Sequence, residues 1–133
     1  MGFLITVRLK STRLKKKVLL PLNGYTVIER VIQRAKEIVD SDNIILCTST
    51  VSEDEPLIEY ADKCNIKSFR GEPDDVLQRL LDASERFKLT HFIGITADNP
   101  LFSIQHANII RDMFIAKPPL DFVFTSGMPI GVN

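Results

Sequence analysis

The 133-residue sequence predicts an α/β domain, a mainly parallel sheet with helices on both faces. Two observations carry that prediction. Short apolar, β-rich runs alternate with segments of helical period from one end of the chain to the other. The apolar runs are also near-continuous rather than alternating, as strands buried on both faces require.

The first run is Phe3-Leu-Ile-Thr-Val7, followed by a polar, basic segment from Arg8 to Gly24. Val27, Ile28, Val31, Ile32, Ala35, Ile38 and Val39 then form one stripe at 3.6-residue spacing and predict the first helix. Asn43–Ser49 reads as the second strand. Leu57, Ile58, Ala61 and Cys64 predict a second helix, with Pro56 near its start. Ile66–Phe69 is a short third strand. Pro73, Asp74 and Asp75 suit the first turn of a third helix carrying Val76, Leu77, Leu80, Leu81 and Phe87. His91–Thr96 is a fourth strand, and Ile104, Ala107, Ile110 and Phe114 mark a fourth helix stopped by Pro118-Pro119. Asp121–Thr125 reads as a fifth strand. Phe69, Phe87, Phe92, Phe114, Phe122 and Phe124 fall on these apolar positions and are expected in the core. Without repeats, low-complexity stretches or a linker, residues 1–133 read as a single domain.

The formal net charge of zero conceals an uneven distribution. Six of the 17 basic residues, Arg8, Lys10, Arg13, Lys15, Lys16 and Lys17, lie in ten positions that hold no acid. The rest of the chain carries 11 basic against 17 acidic residues, and eight acids without a Lys or Arg occupy Glu37 to Asp62. The apolar runs are only a handful of residues long, which excludes a membrane-spanning helix. The start, Met1–Val7, lacks the pattern of a secretory signal, and Cys47 and Cys64 form no ligand-spaced pair; both features fit a cytoplasmic location. His91 and His106 have no metal-binding spacing to each other or to a cysteine.

Topology gives the basic segment a place. Right-handed crossovers set strands one, two and three in sequence on one side, with strand four returning beside strand one. Ligands of such sheets bind outside the carboxyl ends of the strands, where the winding reverses. Arg8–Gly24 and Ala97-Asp98-Asn99-Pro100 should therefore face each other across one crevice. Arg offers a planar fork to phosphate oxygens, Lys a point charge and Ser a hydroxyl donor, so the segment suits a polyanion such as a triphosphate. It contains no Walker-type G-x-x-x-x-G-K-[ST]. A solvated basic loop, or an arm that grips nucleic acid through its phosphates, is the alternative. Asp98, ahead of Asn-Pro, also suits an ordinary turn or helix start.

Arg8-Leu-Lys-Ser11-Thr-Arg13-Leu14-Lys-Lys-Lys17, then Val18-Leu-Leu-Pro-Leu22-Asn-Gly24, resembles the opening signature of the cytidylyltransferases that activate acidic sugars. The resemblance is closest to the spore-coat-polysaccharide branch. Arg8, Ser11, Arg13, Leu14 and Lys17 match the pattern R-x-x-S-x-R-L-P-x-K in register; Lys15 replaces its Pro, and Lys10 and Lys16 stand where small residues, often Gly, are common. Ile95-Thr96-Ala97-Asp98-Asn99-Pro100-Leu101 is similar to the family's x-D-x-P motif, whose Asp ligates magnesium. Gly71-Glu-Pro-Asp-Asp75-Val-Leu-Gln-Arg79 is similar to a third motif, G-x-x-D-D-V-L-x-R, in which Arg79 either serves the nucleotide site or pairs with a nearby acid.

The resemblance implies a three-layer αβα, Rossmann-like nucleotide-diphospho-sugar transferase fold. It implies CTP and an acidic sugar as substrates, Mg²⁺ as cofactor, and Arg8, Ser11, Arg13, Lys17 and Arg79 on the nucleotide. Arg8, Lys17 and Asp98 take the catalytic roles, with Asp98 on the metal. It argues against membrane or nucleic acid as partner, and a homodimer is the assembly it suggests. Family members continue well beyond a fifth strand, so the chain reads as the N-terminal, nucleotide-binding part of a longer cytidylyltransferase. A different base or a phosphosugar on the same fold, or a non-enzymatic RNA or polyanion binder, are the competing readings.

Overall fold

The computed structural model describes residues 1–10, 14–116, 120–129 and 132. Its main sheet has four parallel strands, β1 (Gly2–Thr6), β4 (Ile44–Ser49), β5 (Lys67–Gly71) and β6 (Phe92–Thr96), in the order β5-β4-β1-β6. That is the order expected from right-handed crossovers. Register pairs Phe3 with Ile44 on one side and with Ile93 on the other.

Side chains alternate across β1 and β4, so each strand feeds both faces. Phe3, Ile5, Ile44 and Leu46 meet Val31, Ile32 and Ala35 of α1 (Val27–Lys36), Leu57 and Ala61 of α2 (Pro56–Lys63), and Ala107 of α4 (Ile104–Ala116). On the opposite face Leu4, Ile45 and Cys47 meet Ala83 of α3 (Val76–Arg86), with Leu80 and Phe87 packed alongside. The connections through α1 and α2 step away from β1 in one direction, whereas α3 leads back across the sheet. A constant crossover hand therefore puts α3 on the other face. The result is a helix, sheet, helix sandwich.

Local signals start the helices. Thr26 caps α1 in a capping box: its backbone N–H donates to Glu29 Oε2 at 2.7 Å, and Glu29 N–H donates to Thr26 Oγ1 at 3.4 Å. The other Glu29 oxygen accepts from Lys63 Nζ at 2.7 Å, which ties α2 to α1. Asp75 caps α3 by accepting from Gln78 N–H at 2.9 Å.

Three expectations need correction. The stretch between β1 and α1 is more than a loop: it contains a 3-10 turn (Lys17–Leu19) and a hairpin of β2 (Pro21–Leu22) and β3 (Tyr25–Thr26). Asn23 and Gly24 turn that hairpin with φ of 50° and 83°, the left-handed pair a two-residue turn demands. Residues 121–125 form no strand, because among the described residues no strand pairs with them; Phe122 and Phe124 stack on each other at 5.8 Å and are 79% and 70% exposed. On the same flank Phe92, Leu77 and Leu81 are exposed rather than core, because α3 buries mainly its Arg79, Ala83 and Ser84 positions. The Pro118-Pro119 stop signal lies outside the described residues.

Candidate active site

Every polar loop singled out by the sequence rises from the carboxyl end of the sheet. Val7 continues β1 by donating to the Cys47 carbonyl at 3.1 Å, and Ala97 N–H donates to the Thr6 carbonyl at 2.9 Å. The basic segment and the 96–100 turn therefore leave the sheet from neighbouring strand ends, β1 and β6.

Lys17 and Asp98 form an ion pair across that junction. Both are partly exposed, at 43% and 39% of their side chains, so either can change partner without a large burial penalty. The Lys17 ammonium, and after it the Thr96 hydroxyl, hold the Asp98 carboxyl below the usual carboxylate range. Asp98 is thus an ionised oxygen donor at neutral pH. Lys10, Lys15 and Lys16 are exposed, and Lys16 adopts φ 50° and ψ 34°, a left-handed conformation that Gly takes more readily. Ser11 and Arg13 lie outside the described residues.

Arg8 faces the other way. Its Nη1 donates to the Pro73 carbonyl at 2.5 Å and lies 3.5 Å from Asp74 Oδ1, while its Nε lies 3.6 Å from Asp54 Oδ2. Arg8, Lys10, Val51, Glu53, Asp54, Pro73 and Asp74 line a cleft of about 310 Å³. The cationic segment consequently spans two loci, with Lys17 at the β1–β6 junction and Arg8 at the ends of β4 and β5.

Arg79 is buried beneath that second locus, 1% exposed, and its Nη1 donates to the carbonyls of Glu72 at 2.6 Å and Pro73 at 3.3 Å. Burial first, and the Arg8 charge second, pull it below the usual guanidinium range. The spacing of its motif follows from this geometry. A Cβ on Gly71 would stand 2.7 Å from Phe69 and 3.1 Å from Arg79 Cγ, so glycine leaves room for the arginine stem to cross the strand end. Asp75 starts the helix one turn before Arg79, which then folds back onto the loop. Arg8 and Arg79 share the Pro73 carbonyl from outside and inside.

The sequence reading missed Asp54. This carboxylate, 1% exposed, accepts from Leu9 N–H at 2.7 Å and from the Ser49 hydroxyl. Its signal in the chain is faint, since Leu9 is 45 residues away. Arg70 shapes the same loop by donating to the carbonyls of Ser49, Thr50 and Val51 at 3.0–3.1 Å. The remaining candidates are occupied locally. His106 Nδ1 meets Ser103 Oγ at 2.8 Å, His91 Nδ1 meets Thr90 Oγ1 at 2.9 Å, and burial pushes the Cys47 thiol up to about 12. Tyr25 lies under the Arg30 guanidinium, 4.4 Å from its ring centre. Among the described residues no group of three or more His, Cys, Asp or Glu side chains could enclose a metal ion.

A cytidylyltransferase family model matches residues 3–127. The chain belongs to the cytidylyltransferase family. It is 33% identical over 130 residues to an uncharacterized protein of Methanocaldococcus jannaschii, covering 98% of this chain and 53% of that protein. It is 28% identical over 134 residues to the spore coat polysaccharide biosynthesis protein SpsF of Bacillus subtilis, covering 98% and 55%. A 3-deoxy-manno-octulosonate cytidylyltransferase of Chlorobium chlorochromatii is 25% identical over 118 residues, covering 89% and 47%. Among solved structures, a cytidylyltransferase from Leptospira borgpetersenii superposes with a TM-score of 0.83 at 30% identity, covering 89% of this chain and 50% of that one. This chain therefore spans about half the length of the relatives it matches. No helix among the described residues is long and apolar enough to cross a membrane.

Proposed function

We propose that residues 1–133 are the nucleotide-binding part of a cytidylyltransferase that joins CTP to an acidic sugar, giving a CMP-sugar and pyrophosphate for surface polysaccharide. The carrying observation is the Lys17–Asp98 pair, a cation from the basic segment against a carboxylate where two neighbouring strands end. It supplies both kinds of group that a metal-bound triphosphate needs at one place.

In this reading Arg8, Arg13 and Lys17 hold phosphate oxygens, Ser11 donates to them, and Arg79 supports the 72–74 loop against which Arg8 is aimed. A sugar hydroxyl oxygen attacks the α-phosphorus, the bond to the bridging oxygen breaks, pyrophosphate leaves, and the hydroxyl proton passes to solvent. The chain's contribution is positioning and charge neutralisation. The donor set fits Mg²⁺, which binds through one or two carboxylates together with substrate phosphates rather than in an all-protein cage. Asp98 would hold it, and when bound the ion supplies Lewis-acid stabilisation of charge on the phosphates. Lys17, the present ion-pair partner of Asp98, is the ammonium that would turn to the triphosphate oxygens. The acidic sugar is proposed from the names of the relatives, and a cytoplasmic location from the two free cysteines. The family match favours a nucleotide over RNA as the polyanion.

Calorimetric titration of the chain with CTP, UTP, GTP and ATP, with and without Mg²⁺, tests the reading. CTP should bind tightest and only with the metal. Equal binding of all four, or of none, would remove it.

A further inference from the structure

We propose that Asp54 is the positioning residue for the phosphate-binding segment, fixing where that segment leaves the sheet and which edge of Arg8 is presented. The inference rests on the nucleotide-binding reading above and assigns a role to a side chain outside the basic segment.

Asp54 is a carboxylate at 1% exposure, and such a group is stable only with its oxygens satisfied. Its partners all belong to the two central strand ends. Oδ1 accepts from the Leu9 backbone at 2.7 Å, immediately after Arg8. Oδ2 accepts from the Ser49 hydroxyl at the end of β4 and faces Arg8 Nε at 3.6 Å. Ser49 Oγ in turn accepts from Val51 N–H at 3.2 Å, so the β4–α2 loop is folded around the carboxylate. With the Leu9 side chain buried in the core, the segment is held on both its backbone and side-chain sides as it departs.

The guanidinium of Arg8 is divided by this arrangement. Its Nε edge is buried without a hydrogen bond among the described residues and lies 3.6 Å from Asp54 Oδ2. Its Nη1 edge touches Asp74, whose side chain is 89% exposed and exchangeable. A phosphate oxygen can take the place of Asp74 while Asp54 keeps its hold. The carboxylates that contact the segment thus differ in kind: Asp74 and Asp98 are open to exchange, and Asp54 is a fixed anchor.

The test uses the 133-residue chain and Asp54→Asn, which keeps the shape and an acceptor for Leu9 but removes the charge. Two readouts are followed, amide exchange at Leu9 without nucleotide, and Mg·CTP affinity in the Arg8 and Arg8→Ala backgrounds. Exchange at Leu9 should accelerate and affinity should fall, each about tenfold, with less than about a twofold further fall when Arg8 is already Ala. Unchanged Leu9 exchange with unchanged affinity, or equal losses in both backgrounds, would overturn the assignment. A parent chain that binds no triphosphate defeats the nucleotide reading, and with it any binding role for Asp54. A parent that binds while Asp54→Asn behaves like it defeats Asp54 alone. If Asp54→Asn does not fold, Ser49→Ala removes one donor to the carboxylate and should still raise Leu9 exchange; no rise would count against the proposal.

Discussion

β4 and β6 both pair with β1, yet β4 is buried at all six positions whereas β6 alternates between exposed and half-buried ones. β4 lies between two hydrogen-bonded neighbours and has helices over both faces. Among the described residues β6 pairs with β1 alone, and the apolar surface around it includes Phe92, Leu77, Phe122 and Phe124. The contrast shows where the fold concentrates its rigidity. Leu9, Ser49 and Asp54 are held together at the enclosed β1–β4 corner, where a charged segment can be aimed. The β6 flank contributes one exchangeable carboxylate, Asp98, at its carboxyl end.

Truncation of a core side chain breaks that contrast most forcefully. Leu46→Ala, in the middle of β4 and 0% exposed, should cost about 2–5 kcal/mol in chemical denaturation. Next in size is the exchangeable carboxylate. Asp98→Ala should weaken Mg·CTP binding about 10- to 100-fold by calorimetry and abolish the metal dependence, with the melting temperature little changed because the Lys17–Asp98 pair is exposed.

Acid acts on the enclosed half more gently. The Lys63 ammonium, with help from the Thr26 backbone, pulls the Glu29 carboxyl from an ordinary 4.5 down to about 2. A depressed folded-state value means stabilisation that is complete above the unfolded value and lost as pH falls toward the folded one. Thermal melts should therefore decline between about pH 4.5 and 2, and Glu29→Gln should flatten that decline. The smallest effect belongs to the open flank: Phe122→Ser, at a position already 79% exposed, should change stability by less than about 0.5 kcal/mol.

Strand order and helix placement were legible because they follow from crossover handedness and from stripes that each segment carries within itself. The meeting of the basic segment with Asp98 was legible for the same reason, and Lys17 makes the contact. Residues 121–125 show the limit: apolar composition announces a strand, but a strand exists only beside a partner. The hairpin had its signal in Asn23-Gly24, masked by strands of only two residues. Asp54 was hidden for a different reason. Its role depends on Leu9 and Arg8, brought to it by the pairing of β1 with β4, and in the chain it is one acid among eight between residues 37 and 62.

The most direct test of the central claim is amide chemical-shift mapping of the chain with Mg·CTP. Shifts concentrated at Leu9–Lys10, Lys15–Lys17, Val51–Asp54 and Thr96–Asp98, with Phe92 and Phe122 unmoved, are the predicted result. Shifts gathered on the β6 flank, or none at the carboxyl ends of the strands, would contradict it.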